Sequence, residues 1–106
     1  MEIPGKDISS LNDYLKFIEK ALRFPTCCNG IYSRYHDWIM DLSWFDYNKY
    51  FLVFNDFSCF LRDEPDYKRI IFKDFEDVIL PWWEHNVTKY SVDGREKIMI
   101  VLTIPE

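Results

Sequence analysis

Leu11, Tyr14, Leu15, Ile18 and Leu22 recur at intervals of three and four, the stripe of an amphipathic helix that packs on one side. Ser9 and Ser10 precede it as N-cap candidates, and Asp13, three residues after Ser10, completes a capping-box pattern. Pro25 predicts the end of this helix, because a residue before proline is pushed out of the helical region. Upstream, Glu2-Ile3-Pro4 leaves room for only a short strand before Gly5. Downstream, Asn29-Gly30 predicts a turn in which both residues accept positive φ. A second helix is predicted from Tyr32 to Leu42, with Tyr35, Trp38, Ile39 and Leu42 as its buried stripe. Its other face then carries Ser33, His36, Asp37 and Met40, with Asp41 at the edge.

The pattern changes at Tyr50–Phe54, a continuous apolar run that suits a central strand covered on both faces. Asp56 to Arg62 predicts a helical turn or two, ending near Pro65. From Asp66 onward, Ile71, Phe75, Val78, Ile79 and Trp82 keep helical spacing. Pro81 removes the bond back to Asp77, which predicts a kink or a break. Asp93-Gly94 marks another turn, and Lys97–Leu102 a second buried strand. Strand, helices, strand, helices, strand: this order predicts one three-layer α/β domain over residues 1–106, with a small parallel sheet.

A chain of 106 residues suits a single core, and 48% hydrophobic with 29% charged residues is ordinary globular usage. Aromatic residues are abnormal at 19%, while only three glycines exist, too few for a Gly-rich phosphate loop. No P-loop, dinucleotide fingerprint or nucleophile elbow occurs. The net charge of -5 opposes direct binding to a phosphate backbone and fits a basic partner. No run approaches the roughly 18 apolar residues of a membrane span. Residues 1–20 lack the basic-then-apolar order of a signal peptide, so a cytoplasmic protein is expected and Asn86-Val87-Thr88 reads as a chance glycosylation match. Cys27, Cys28 and Cys59 are odd in number, two are adjacent, and no C-x-x-C exists. Buried free thiols are therefore expected in place of a disulfide framework, a zinc knuckle or a redox pair. His36 and His85 with Cys27, Cys28 and Asp37 match zinc by ligand type but not by spacing. Side chains of the adjacent His36 and Asp37 would point about 100° apart on a helix, which is poor for acid–base work. The expectation is a protein with no catalysis, cofactor or metal of its own.

Leu22-Arg23-Phe24-Pro25, eleven intervening residues, Asp37, and then Asp41-Leu42-Ser43-Trp44-Phe45 resemble the barstar family. Its members are small acidic intracellular inhibitors of secreted ribonucleases. They typically have a short first strand ending in glycine, an amphipathic helix followed by proline, and a second helix with an Asp-Cys-Leu-type core. Many then read Asp-Leu-Ser-Trp-Leu. The resemblance covers nearly the whole chain in order of elements, and its motifs lie within Pro25–Trp44. It implies a barstar-like fold and an immunity protein that blocks the active site of a basic nuclease toxin. Asp37 falls on the acid that the family's namesake inserts into the nuclease, with Asp41 as a flanking charge. Ser33, His36, Met40 and Trp44 would surround them, and Glu84 stands where relatives carry a late-helix acid.

The chain also departs from the family. Asn29 stands at the usual glycine, Cys27 and Cys28 at two aromatics, and His36 at a frequent tryptophan. Ile31 and Ser33 replace the family's Asn and first Asp of the second helix. Such changes keep a scaffold while altering the surface that meets a partner. The implied partner is a protein, neither nucleic acid nor membrane, and the free chain is expected to be a monomer. The rival expectation is a non-catalytic adaptor or regulatory domain on the same fold, whose partner is not a nuclease. At single positions, Asp37 as a merely solvated residue and Trp44 as core remain the alternatives.

Overall fold

Ser10 adopts an extended backbone, and its hydroxyl accepts a bond from the Asp13 N–H at 3.2 Å, which starts α1 (Leu11–Ala21). A computed structural model of the chain describes residues 1–45, 47, 49–87 and 98–105. The Asp93-Gly94 turn, Lys97 and Thr88 of the predicted features lie outside those residues. The Asp13 carboxylate reaches back to the N–H and hydroxyl of Ser9, at 3.3 and 3.1 Å. The forward half of the capping box is therefore as predicted, and its return bond goes to Ser9, one residue before Ser10. Leu11, Tyr14, Leu15, Ile18 and Leu22 are all buried, as their spacing predicts. The helix stops before Pro25 can act. Arg23 takes a left-handed φ of 53°, and the Phe24 N–H donates to the Glu19 carbonyl at 2.9 Å. Together with Arg23 N–H to the Lys20 carbonyl, this is a Schellman closure that satisfies carbonyls at the helix end.

Asn29 and Gly30 form the predicted turn with φ of 52° and 74°, and α2 (Tyr32–Ile39) follows. It ends before Leu42, whose left-handed φ of 48° no longer continues the helix. Tyr35, Ile39 and Leu42 are buried, whereas Trp38 is only half-buried. Tyr35 fastens α2 to α1: its hydroxyl lies 2.7 Å from that of Tyr14, and the two rings meet edge to face.

Strands β1 (Glu2–Pro4), β2 (Lys49–Asn55) and β3 (Ile98–Thr103) form a parallel sheet in the order β1-β2-β3. The apolar run 50–54 is thus the central strand, but it is not covered on both faces. Tyr50, Leu52, Phe54 and Met99 are buried, while Phe51, Ile100 and Leu102 on the other face are 45%, 37% and 49% exposed. Among the described residues the helices lie against one face, so the expectation of a layer on either side is corrected. A strand's pleat alternates side chains whatever its composition, so an apolar run cannot report how many faces are covered. Gly5 follows β1 because nothing larger fits: a Cβ there would stand 2.3 Å from the Asn55 carbonyl oxygen and 2.6 Å from that of Asp56.

Residues 56–63 form successive turns rather than helix, with left-handed φ at Asp56 and Leu61. Next comes α3 (Pro65–Asp74), with proline in its first turn, where its missing N–H does no harm. Its path then widens into π turns at Phe75–Ile79 and Trp82–Val87. The wider i→i+5 winding moves the buried stripe to Ile71, Phe75, Ile79 and Trp83. Val78 and Trp82, expected inside, are 42% and 36% exposed. Pro81 accordingly marks a change of winding, not an end, since residues 80–81 remain helical. Much of the aromatic excess fills the space between sheet and helices, with Phe54 edge-on to Phe72 at 4.9 Å and Phe60 edge-on to Tyr14 at 5.4 Å.

Candidate functional site

The exposed end of α2 carries most of the predicted contact residues. Ser33, Asp37 and Asp41 are exposed. Asp37 and Asp41, one helical turn apart, meet Thr26, Arg34 and Trp38 around an open depression of about 370 Å³. The Trp38 indole donates to the Thr26 hydroxyl at 3.2 Å, and its ring stands edge-on to Trp44 at 5.5 Å. Trp44 in turn donates to the Leu22 carbonyl at 2.9 Å and packs edge-on against Phe24. Half-buried Trp44 therefore anchors the segment after α2 to the end of α1, and Trp38 leans on it.

The C-terminal carbonyls of α2 would lack partners within the helix. Two consecutive indoles supply them: Trp82 Nε1 donates to the Met40 carbonyl at 2.9 Å, and Trp83 Nε1 to the Ile39 carbonyl at 3.1 Å. This end of α2 is thus held from the core side while its acids face out. Both acids also sit where the helix dipole opposes them. Asp37 lies in the last turn and Asp41 just past the Met40 cap, at the negative end of the helix. Among the described residues, neither carboxylate takes part in an ion pair.

His36 turns elsewhere. Its Nε2 lies 3.2 Å from Oδ1 of Asp74, and the Tyr32 hydroxyl donates to Oδ2 of the same carboxylate at 2.7 Å. Burial first, and then the hydrogen bond to Asp74 and its negative charge, push the Tyr32 hydroxyl well above its ordinary pKa, so it stays protonated and donates. The three side chains line a groove of about 810 Å³ between α2 and α3.

The structure thus brings Asp37 and Asp41 together and leaves the other predicted contacts around or away from them. Ser33 is exposed on the same helix without lining the depression. His36 belongs to the groove, and Met40 is half-buried with its carbonyl occupied. Glu84 is exposed beside Trp83, with its Oε2 3.7 Å from Nε2 of His85. Thr26, Arg34 and Trp38 complete the depression, and Asp74 and Tyr32 the groove; none is a contact residue in the sequence expectation, where Trp38 belongs to the buried stripe. Only Tyr32 left a signal, standing one turn from His36; Asp74 is 38 residues away from it. Among the described residues no three His, Cys, Asp or Glu side chains converge as metal ligands, and no helix is long and apolar enough to cross a membrane. Cys28 is buried and Cys59 half-buried, but Cys27 is exposed, against the expectation that all three thiols are interior. Protein-family models, curated proteins and solved structures give no match to this chain.

Proposed function

We propose that this chain is a barstar-like immunity protein, a non-catalytic inhibitor that blocks the active site of a basic nuclease toxin with the acidic end of α2. The observation that carries this reading is the position of Asp37 and Asp41. They are exposed, free of ion pairs among the described residues, and held at the helix end where negative charge is disfavoured by about 0.3–1 kcal/mol each. Folding alone gives no reason to keep two acids there, whereas a cationic pocket does. A nuclease gathers Lys, Arg and His to hold a polyanion, and a carboxylate on a rigid helix can take the phosphate's place through charge-assisted hydrogen bonds. Trp38, half-buried and braced by Trp44, supplies adjacent apolar surface of the kind that concentrates binding energy. A small three-stranded parallel sheet packed by helices supports the same reading only at the level of fold class, since the resemblance implies such a sheet.

Basic secreted nuclease domains are the partners to test, beginning with any encoded beside this chain's gene. Against the nuclease that binds, Asp37→Ala weakens binding by roughly 2–5 kcal/mol, much of it from nuclease cations left buried and unpaired. That range comes from interface charge pairs in general, including those of the barstar family's namesake complex. The same substitution leaves stability unchanged or raises it by up to about 1 kcal/mol, since it relieves the dipole and introduces a better helix former. Calorimetric titration and urea unfolding measure the two effects. A binding loss of a few tenths of a kcal/mol, or a large loss of stability, refutes the assignment. Tight binding through this face to a protein that is not a nuclease would establish the adaptor reading instead.

A further inference from the structure

The groove between α2 and α3 belongs to neither acid of the proposed nuclease-binding face, and its chemistry differs from theirs. Its volume of about 810 Å³ falls within the range of small-molecule sites, roughly 300–1,000 Å³. Its lining includes the Asp74 carboxylate, whose side chain is only 14% exposed. Tyr32 and His36 each occupy one of its oxygens. A carboxylate offers about four lone-pair sites, so two donors leave acceptor capacity open toward the groove that Asp74 lines. Ile70 and Val78 stand one turn to either side of Asp74 and are 48% and 42% exposed. The rings of Tyr32 and Phe72 form part of the wall. Asp74 is also the last residue of α3 before the chain widens into a π turn, a distortion found often at functional sites.

We infer that this groove binds a small organic ammonium ion bearing an apolar group, with its N–H donors on Asp74 and its apolar part against Ile70, Val78 and Phe72. Charge selects the class. The two cations at the rim, Arg69 and Lys73, point into solvent and are paired with Asp66 and Asp77. Asp74 and Glu76 therefore leave the lining with a formal negative excess, histidine being counted as neutral. An anion would be driven against a carboxylate already short of water. A wholly apolar ligand would remove the remaining water and offer no donor in exchange, a loss comparable to leaving a buried charged acceptor unmade. An ammonium group supplies up to three donors from a compact centre and is attracted to aromatic faces as well.

The inference stands independently of nuclease inhibition and is tested without a nuclease. Uniformly ¹⁵N-labelled protein is titrated with 2-phenylethylammonium, 2-phenylethanol and 3-phenylpropionate, and amide shifts are followed. The ammonium is expected to move the resonances of Tyr32, His36, Ile70, Asp74 and Val78. It should bind about tenfold or more tightly than the alcohol, the scale of a hydrogen bond to a charged group. Phenylpropionate should not shift these resonances. Asp74→Asn should remove the preference for ammonium over alcohol, and Asp37→Ala should leave it intact. Equal affinity for alcohol and ammonium, stronger binding of the anion, or shifts centred on Asp37 and Asp41 would each overturn the inference. Should Asp74→Asn fail to fold, the three ligands on the unaltered chain still decide.

Discussion

Removing the Tyr35 hydroxyl by Tyr35→Phe deletes one atom from the joint between α1 and α2 and leaves every ring contact in place. The partner suffers most. Tyr14 and Tyr35 are both fully buried, and their hydroxyls bond to each other at 2.7 Å. Burial holds both phenols well above their ordinary pKa, so the pair is neutral throughout the usual working range of pH. A neutral bond contributes about 0.5–1.5 kcal/mol net, but an orphaned buried hydroxyl costs its desolvation, about 1–3 kcal/mol. Tyr35→Phe and Tyr14→Phe are therefore each expected to destabilise by about 1–3 kcal/mol. The double variant removes both polar atoms and leaves two phenyl rings of the same shape, so it should lose less than the sum of the single changes by about 1–3 kcal/mol. Urea unfolding of the four proteins, compared at constant m, gives the cycle directly. Strict additivity, or single losses of only a few tenths of a kcal/mol, would refute the claim that this bond ties α2 to the core.

Three other outcomes follow from particular contacts. Gly5→Ala is expected to cost about 3 kcal/mol or more, at or above the usual range for overpacking, because the new Cβ meets two backbone oxygens that cannot rotate away; a midpoint in urea close to that of the parent would contradict it. The Asp13 carboxyl is held below its ordinary value of 3.8, chiefly by the Ser9 backbone N–H, while desolvation opposes. Its folded form thus prefers the charged state, and its contribution is complete above the ordinary value and lost as pH falls through the lowered one. The stability gap between the parent and Asp13→Asn should narrow as pH drops from 6 toward 2, and a gap independent of pH rules the linkage out. Burial, followed by the nearby Glu19, pushes the Cys28 thiol up to about 11, whereas Cys27 is exposed. Mass-resolved alkylation of the native protein should label Cys27 well before Cys28, and equal rates would show that Cys28 is not shielded.

Elements whose deciding contacts are close in sequence are legible in the chain itself. Ser10, the stripe from Leu11 to Leu22 and the Asn29-Gly30 turn each depend on neighbours within a few residues. The exposure of Asp37 and Asp41 was visible for the same reason, as the complement of the buried Tyr35, Ile39 and Leu42. The surroundings of those acids were less visible. Trp38 shares the apolar stripe by spacing, yet its indole reaches Thr26 and its ring reaches Trp44, which no helical period reports. Ser10 keeps the N-cap, but the return bond of the capping box goes to Ser9, because a carboxylate can satisfy either of two adjacent donors.

By itself, then, the amino-acid order determined three parallel-strand candidates, two early helices with their buried stripes, and an acidic outward face at the end of the second. Those follow from periodicity, turn chemistry and charge, all short-range properties of the chain. Only tertiary structure decided that one face of the sheet keeps Phe51, Ile100 and Leu102 exposed, that the late helix winds through π turns, and that His36 joins Asp74 and not Asp37. The physical reason is common to all three. Coverage of a sheet face, the winding that best buries Trp83, and the partner of an imidazole are set by what packs opposite, and those atoms arrive from elsewhere in the chain.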